Sequence, residues 1–121
     1  MKYLVVDDSK LARLGLIKSL KTHLPDVEVY QATNGEEAVE LNKTHKPTIA
    51  FLDLTMPVMD GYEALPMMIW DNPDLKVIVV SADIQEQAKA KVIDLGAKLH
   101  IQKPINPNKM KDILETLECK I

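Results

Sequence analysis

Short apolar runs punctuate the chain at a regular spacing. They fall at Leu4-Val5-Val6, Val27-Glu28-Val29, Ile49-Ala50-Phe51-Leu52, Val77-Ile78-Val79-Val80 and Leu99-His100-Ile101. Three of the five are unbroken rather than alternating, which is what a strand needs when both of its faces are covered, as in a parallel sheet. Between the runs the period changes to that of a helix. Ser9 to His23 carries Leu11, Leu14, Ile17, Leu20 and Leu24 at spacings of three and four, which predicts one apolar face. Ile84 to Leu95 sets Ile84, Ala88, Val92 and Leu95 on a stripe, with Gly96 as a C-terminal cap. Met110, Ile113, Leu114 and Leu117 repeat the i, i+3, i+4, i+7 pattern.

Helix ends are marked as well. Asn34 with Glu37 forms a capping-box signature, and Pro47 lies beyond the end of that helix. Asn106-Pro107 reads as an N-cap followed by proline in the first turn. The stretch from Gly61 to Trp70 is less regular, because Pro66 lacks a backbone donor; a helix that starts late or bends is expected there. Five strand–helix units averaging about 24 residues predict an α/β fold with a parallel sheet and helices on both faces. Right-handed crossovers restrict its topology. The order 2-1-3-4-5 is taken from known flavodoxin-like, doubly wound sheets rather than from the pattern itself. One domain is expected over 1–121, without an output domain.

Composition narrows the function. The chain has 121 residues, 46% of them apolar, and a formal net charge of -3 from 15 basic and 18 acidic side chains. That balance lacks the basic footprint of a nucleic-acid binder or of a protein held on an anionic membrane. The single cysteine, Cys119, excludes an internal disulfide framework. No run approaches the ~20 apolar residues of a membrane span, and the N-terminal apolar run ends in two acids. A cytoplasmic protein is expected.

Polar residues collect where the strands end. The first strand ends in Asp7-Asp8, the third in Asp53 and the fourth in Ser81, and the fifth runs into Lys103-Pro104. Taken singly, an Asp or Ser after a strand is ordinarily a helix cap or turn former. Together these residues share the carboxyl edge near the topological switch point, where open α/β sheets bind ligands. Two like charges about 4 Å apart repel by about 4 kcal/mol at an effective dielectric of ~20. Three clustered carboxylates must therefore protonate, separate or bind a cation. An all-oxygen donor set suits a hard ion such as Mg2+. A carboxylate between such an ion and Lys103 is a suitable phosphoryl acceptor.

Val5-Val6-Asp7-Asp8-Ser9, Phe51-Leu52-Asp53-Leu54-Thr55-Met56-Pro57-Val58-Met59-Asp60-Gly61, Val79-Val80-Ser81-Ala82 and Lys103-Pro104 resemble the receiver domain of two-component response regulators, in order and over essentially the whole chain. The likeness is to stand-alone chemotaxis-type receivers. It implies that Asp53 is the phosphoacceptor, that Asp7, Asp8, Asp53 and the Thr55 carbonyl hold Mg2+, and that Ser81 and Lys103 contact the phosphoryl group. It implies a cis peptide before Pro104. His100 occupies the position of a switch residue that is often Tyr or Phe; it reads equally as a satisfied, partly exposed strand-edge histidine and as a switch with a polar, titratable ring. Thr55 and Asp83 would flank the entrance, and Asp83 is read first as the N-cap of the fourth helix. The implied partners are a sensor histidine kinase or phosphotransfer protein as donor, and a downstream protein bound through the face from Ile84 to Cys119. The receiver would act as a monomer or as a phosphorylation-dependent dimer, and would catalyse only its own phosphorylation and dephosphorylation.

Other readings fit less well. A receiver cut from a longer regulator would carry the same residues. A haloacid-dehalogenase-type phosphatase needs a helper group two residues after its nucleophile, often an acid, where this chain has Thr55. An FMN binder needs a Ser/Thr/Gly-rich loop where this chain has Asp7-Asp8. A pseudo-receiver would not retain the full set of Asp7, Asp8, Asp53, Ser81 and Lys103. Met56, Met59, Met67 and Met68 are expected in loop and core packing. Trp70 is read as semi-buried packing ahead of an exposed partner contact, and His23 and His45 are expected to lie at helix ends.

Overall fold

Strands and helices alternate along the computed structural model, which describes residues 1–82 and 85–117. The strands are β1 (Lys2–Val6), β2 (Glu28–Ala32), β3 (Ile49–Leu52), β4 (Lys76–Ser81) and β5 (Leu99–Gln102). The helices are α1 (Lys10–His23), α2 (Gly35–His45), α3 (Gly61–Asp71), α4 (Glu86–Asp94) and α5 (Pro107–Thr116). The strands form one parallel sheet of order β2-β1-β3-β4-β5, the expected flavodoxin-like topology.

Successive strand residues point to opposite faces. Leu4, Val6, Ala50, Leu52, Val77 and Val79 therefore pack with Leu65, Met68 and Val92 in one layer. Tyr3, Val5, Phe51, Ile78 and Val80 pack with Leu20, Met110 and Leu114 in the other. Covering both faces is the reason the strands had to be continuously apolar. Each Val, Leu, Ile, Phe or Met among them, fully buried, contributes roughly 1.5–3 kcal/mol.

Capping explains where the helices begin. Ser9 Oγ accepts from the Ala12 N–H (3.2 Å), Asn34 Oδ1 from Glu37 (2.9 Å), Asp60 Oδ1 from Glu63 (3.0 Å) and Asn106 Oδ1 from Lys109 (2.8 Å). Glu37 turns back as a capping box requires, but accepts from the Thr33 N–H (2.7 Å), one residue before the cap.

Several expectations need correction. Helix α3 does not start late: it begins at Gly61 and continues past Pro66 to Asp71. Pro66 is exposed, so the Tyr62 carbonyl it leaves without a helical donor lies on a face open to water. Leu11 and Leu14 are 82% and 48% exposed; the half-buried or buried face of α1 runs through Leu16, Ile17 and Leu20. Strand β2 lies further along than Val27-Glu28-Val29. Gln85 occupies the N-cap position of α4 without a side-chain cap hydrogen bond; Asp83, read as that cap, and Ile84 and Cys119 fall outside the described residues.

One buried polar pair links elements distant in sequence. Asn42 Nδ2 donates to the Met68 carbonyl (2.9 Å), and Asn72 Nδ2 donates to Asn42 Oδ1 (3.1 Å) and the Pro47 carbonyl (2.9 Å). Asn42 is 0% exposed, so truncation would remove two buried hydrogen bonds at once, leaving the Met68 carbonyl with only the Asn72 N–H (3.0 Å) and the Asn72 amide with only the Pro47 carbonyl. Asn42→Ala is expected to cost about 2–3 kcal/mol, seen as a lower urea midpoint at unchanged slope. A loss below about 0.5 kcal/mol would mean that water replaces the amide.

Candidate functional site

The carboxyl edge of the sheet is extended by one further backbone bond at three strands. The Asp7 N–H donates to the Ala32 carbonyl (3.1 Å), Asp53 to Val6 (3.0 Å) and Lys103 to Ser81 (3.0 Å). These bonds fix the first residue beyond β1, β3 and β5, and their side chains converge. Lys103 Nζ lies 2.7 Å from Asp7 Oδ2 and 3.3 Å from Asp53 Oδ1. Asp7 Oδ1 also accepts from the Ser9 N–H (2.9 Å), and Asp53 Oδ1 from Leu54 (2.9 Å). Asp7 and Asp53 are buried and Asp8 is exposed, yet one carboxylate oxygen from each of the three lies within 4.8 Å of the others.

Three acids against one ammonium leave this cup negative. Burial raises the Asp53 pKa most, and the charge on Asp7 raises it further; Lys103 and the Leu54 N–H pull it back only in part. Burial pulls Lys103 down, but its bonds and charge interactions with Asp7 and Asp53 outweigh that and hold it above the usual lysine range. The donor set fits a hard divalent cation: all oxygens, close together, partly open to water through Asp8, with the other two acids too buried to be relieved by solvent.

Two supports were not foreseen. Arg13 on α1 donates from Nη1 to the Asp7 carbonyl (2.8 Å) and from Nε to Gln31 (3.0 Å), tying β1 to α1 and β2 beneath the cup. Gly61 donates to the Leu54 carbonyl (2.9 Å), and a Cβ there would stand 2.3 Å from the Asp53 carbonyl oxygen. Only glycine lets α3 start this close to the acid's own backbone. In the same loop, exposed Val58 holds φ at 67°, an unfavourable backbone for a β-branched residue.

The remaining residues are placed as follows. Thr55 is exposed two residues after Asp53, and Ser81 is buried at the end of β4. The β4–β5 register pairs Val79 with His100 and Ser81 with Gln102, so Ser81 and His100 occupy the same face one pleat apart. His100 Nε2 is buried and has no hydrogen-bond partner among the described residues. The Lys103–Pro104 peptide is cis.

The family model described as the response regulator receiver domain matches residues 3–115. The chain is a response-regulator receiver domain. It is 37% identical over 113 residues to the chemotaxis protein CheY of Thermotoga maritima, covering 93% of each chain. It is 39% identical over 115 residues to CheY of Listeria monocytogenes, covering 95% of this chain and 96% of that one. Its fold matches a chain in the crystal structure of the CheX–CheY–BeF3–Mg2+ complex from Borrelia burgdorferi with a TM-score of 0.91 at 31% identity, covering 99% of this chain and 90% of that one. A CheY-like receiver is a phosphorylation-activated switch of two-component signalling. Receivers bind Mg2+ at an acidic pocket, take phosphoryl groups from histidine kinases and act on downstream targets. Among the described residues, no helix is long and apolar enough to cross a membrane.

Proposed function

We propose that Asp53 of this receiver accepts the phosphoryl group and that the surrounding cup is the machinery for adding and removing it. The observation that carries this reading is the junction of Lys103 with both Asp7 and Asp53 at 2.7 and 3.3 Å, with Asp8 beside them. Both protein donors to Asp53 take Oδ1, which leaves Oδ2 as the attacking oxygen. Oδ2 forms a bond to phosphorus as the P–N bond of a phosphohistidine breaks, and the departing imidazole keeps the electron pair and takes up a proton. Asp7, Asp8, Asp53 and the Thr55 carbonyl would hold Mg2+, which supplies positive charge for the phosphoryl oxygens. Lys103 turns from the carboxylates to a phosphoryl oxygen, and the Ser81 hydroxyl donates to another. Ser81 and His100 share a face, so that movement passes to the surface formed by α4, β5 and α5, where a target protein binds. Reversal needs only a water attacking phosphorus, with Asp53 as the leaving carboxylate. Thr55 borders that approach.

The protein acts as one receiver unit whose effect is exerted through a bound partner, as a monomer or as a dimer formed on phosphorylation. Acetyl phosphate with Mg2+ is expected to add one phosphoryl group per chain, and EDTA to prevent it. Equal labelling in EDTA would remove the metal from the scheme.

The donor's docking site is supported by the misplaced leucines of α1. Exposed Leu11, Gly15 and Pro104 line a cleft that also contains Asp7 and Lys103, so this apolar surface opens directly on the cup. Leu11→Asp is expected to slow transfer from a phosphohistidine protein by roughly tenfold while leaving acetyl phosphate labelling unchanged. Equal loss with both donors would mean that the substitution damages the cup itself.

A further inference from the structure

The acidic cup occupies the carboxyl edge of the sheet; a second feature lies at the opposite edge. Helix α3 ends at Asp71 and α4 at Asp94, each just before the start of the next strand. Between these helix ends lies an apolar groove of about 490 Å3, lined by Pro66, Ile69, Trp70, Pro73 and Leu95. Trp70 is 86% exposed, and Met67 and Ile93, at 45% and 41%, lie on the same two helices. A tryptophan so placed leaves its large apolar surface in water, and tryptophan is the side chain most enriched at binding hot spots.

The groove is preformed. Gly96 adopts φ +114°, and a Cβ there would stand 2.3 Å from Ile69 Cδ1, so the turn after α4 seats directly on α3. Met68 and Val92 beneath it are fully buried. Its rim is acidic. Asp71, Asp74 and Asp94 each adjoin a lining residue in sequence, and the ion pairs found among the described residues both belong to Lys103. Nearby bases offset the rim only in part: Lys46 donates to the Asp71 carbonyl and so brings one positive charge to it, whereas Lys91 Nζ lies 4.3 Å from the Tyr62 ring centroid, at the other end of α3. With Lys98, beyond Gly96, that makes two bases against three acids, and the rim stays net negative.

We propose that this groove docks a basic amphipathic helix of a partner protein, with Trp70 as the anchor, whether or not Asp53 is phosphorylated. An apolar trough fits the apolar face of such a helix, and the three aspartates fit flanking Lys or Arg side chains. Separation from the cup by the length of the strands makes the contact a tether rather than a readout of the switch.

Trp70 is the only tryptophan, so its emission reports occupancy directly. The probe is a synthetic amphipathic peptide about four turns long, with leucines at i, i+3, i+4 and i+7 and flanking lysines. A saturable blue shift is expected, weakened by salt and unchanged in Asp53→Asn. Followed by anisotropy of labelled peptide, binding is expected to disappear in Trp70→Ala and to weaken about tenfold when Asp71, Asp74 and Asp94 are all changed to Asn. No saturable shift, or equal binding of the same peptide with Glu in place of Lys, would overturn the proposal. So would a shift produced by anionic lipid vesicles instead of peptide, or self-association that Trp70→Ala abolishes, since these assign the groove to a membrane or to a second copy.

Discussion

Asp53→Asn is expected to abolish phosphorylation from acetyl phosphate and from a phosphohistidine donor alike, by at least about a hundredfold, while raising the stability of the metal-free protein. The amide keeps the shape of the acid, and its Oδ1 can still accept from the Leu54 N–H, so the cup survives. What it lacks is a carboxylate oxygen able to bond to phosphorus. The stability gain follows from electrostatics. Burial and the charge on Asp7 make ionisation of Asp53 unfavourable in the fold, so at neutral pH this carboxylate costs stability that a neutral amide does not. A melting temperature higher by roughly a few degrees is expected in EDTA. Mg2+ should stabilise the wild type more than the variant, because the ion loses one of its acids. Mass spectrometry and thermal melts measure the two effects separately. A variant still labelled at the wild-type rate would place the acceptor elsewhere in the cup, on Asp7 or Asp8.

The strands, the helices and the residues of the cup were legible in the sequence because they are written in short-range signals, whereas the strand order that brings the cup together came from known doubly wound sheets. Asp7 and Asp53 directly follow apolar runs, Asp8 comes one residue later and Lys103 is separated from its run by Gln102 alone, and a run buried on both faces has a single direction and a single carboxyl end. The errors arose where angle or long-range contact decided the outcome. Leu11 and Leu20 are joined by steps of three residues, and each step falls short of a full turn by about 60°. Three such steps carry the stripe to the opposite side of α1, which is why Leu11 faces water and Leu20 the core. Trp70 was misjudged in the same way: the buried stripe of α3 runs through Gly61, Ala64, Leu65 and Met68, and residue 70 lies about 200° beyond Met68. Arg13, Asn42 and Asn72 carry no local signal. Their partners lie 6 to 30 residues away, and only the assembled sheet brings them together.

Lys103→Met should be destabilising at neutral pH, by about 1–3 kcal/mol, because it leaves Asp7 and Asp53 facing each other without their shared cation. The lower end of that range allows for water, since the lysine side chain is 28% exposed. The pH dependence separates charge from packing. Lys103 is held above its ordinary pKa, so its contribution is complete at every pH below the usual lysine range and disappears only as pH rises through the elevated value. Between acid and neutral pH the titrating member is therefore Asp53. Its pKa is raised, so the stability associated with its protonated form is present below the ordinary carboxylate range and is lost as pH rises through the elevated value. Removing the lysine removes a downward influence on that pKa, and the acid moves further up. The stability gap between Lys103→Met and the wild type is thus expected to be largest near neutrality and to narrow towards about pH 4, as Asp53, with its pKa above the ordinary value, takes up its proton. Mg2+ at neutral pH should close much of the gap, because a divalent cation supplies the charge that the ammonium no longer does. Urea denaturation at the two pH values, each with Mg2+ and with EDTA, measures all four quantities. A gap that is the same at both pH values and indifferent to Mg2+ would mean that Lys103 supports the cup through the packing of its methylene stem rather than through its charge.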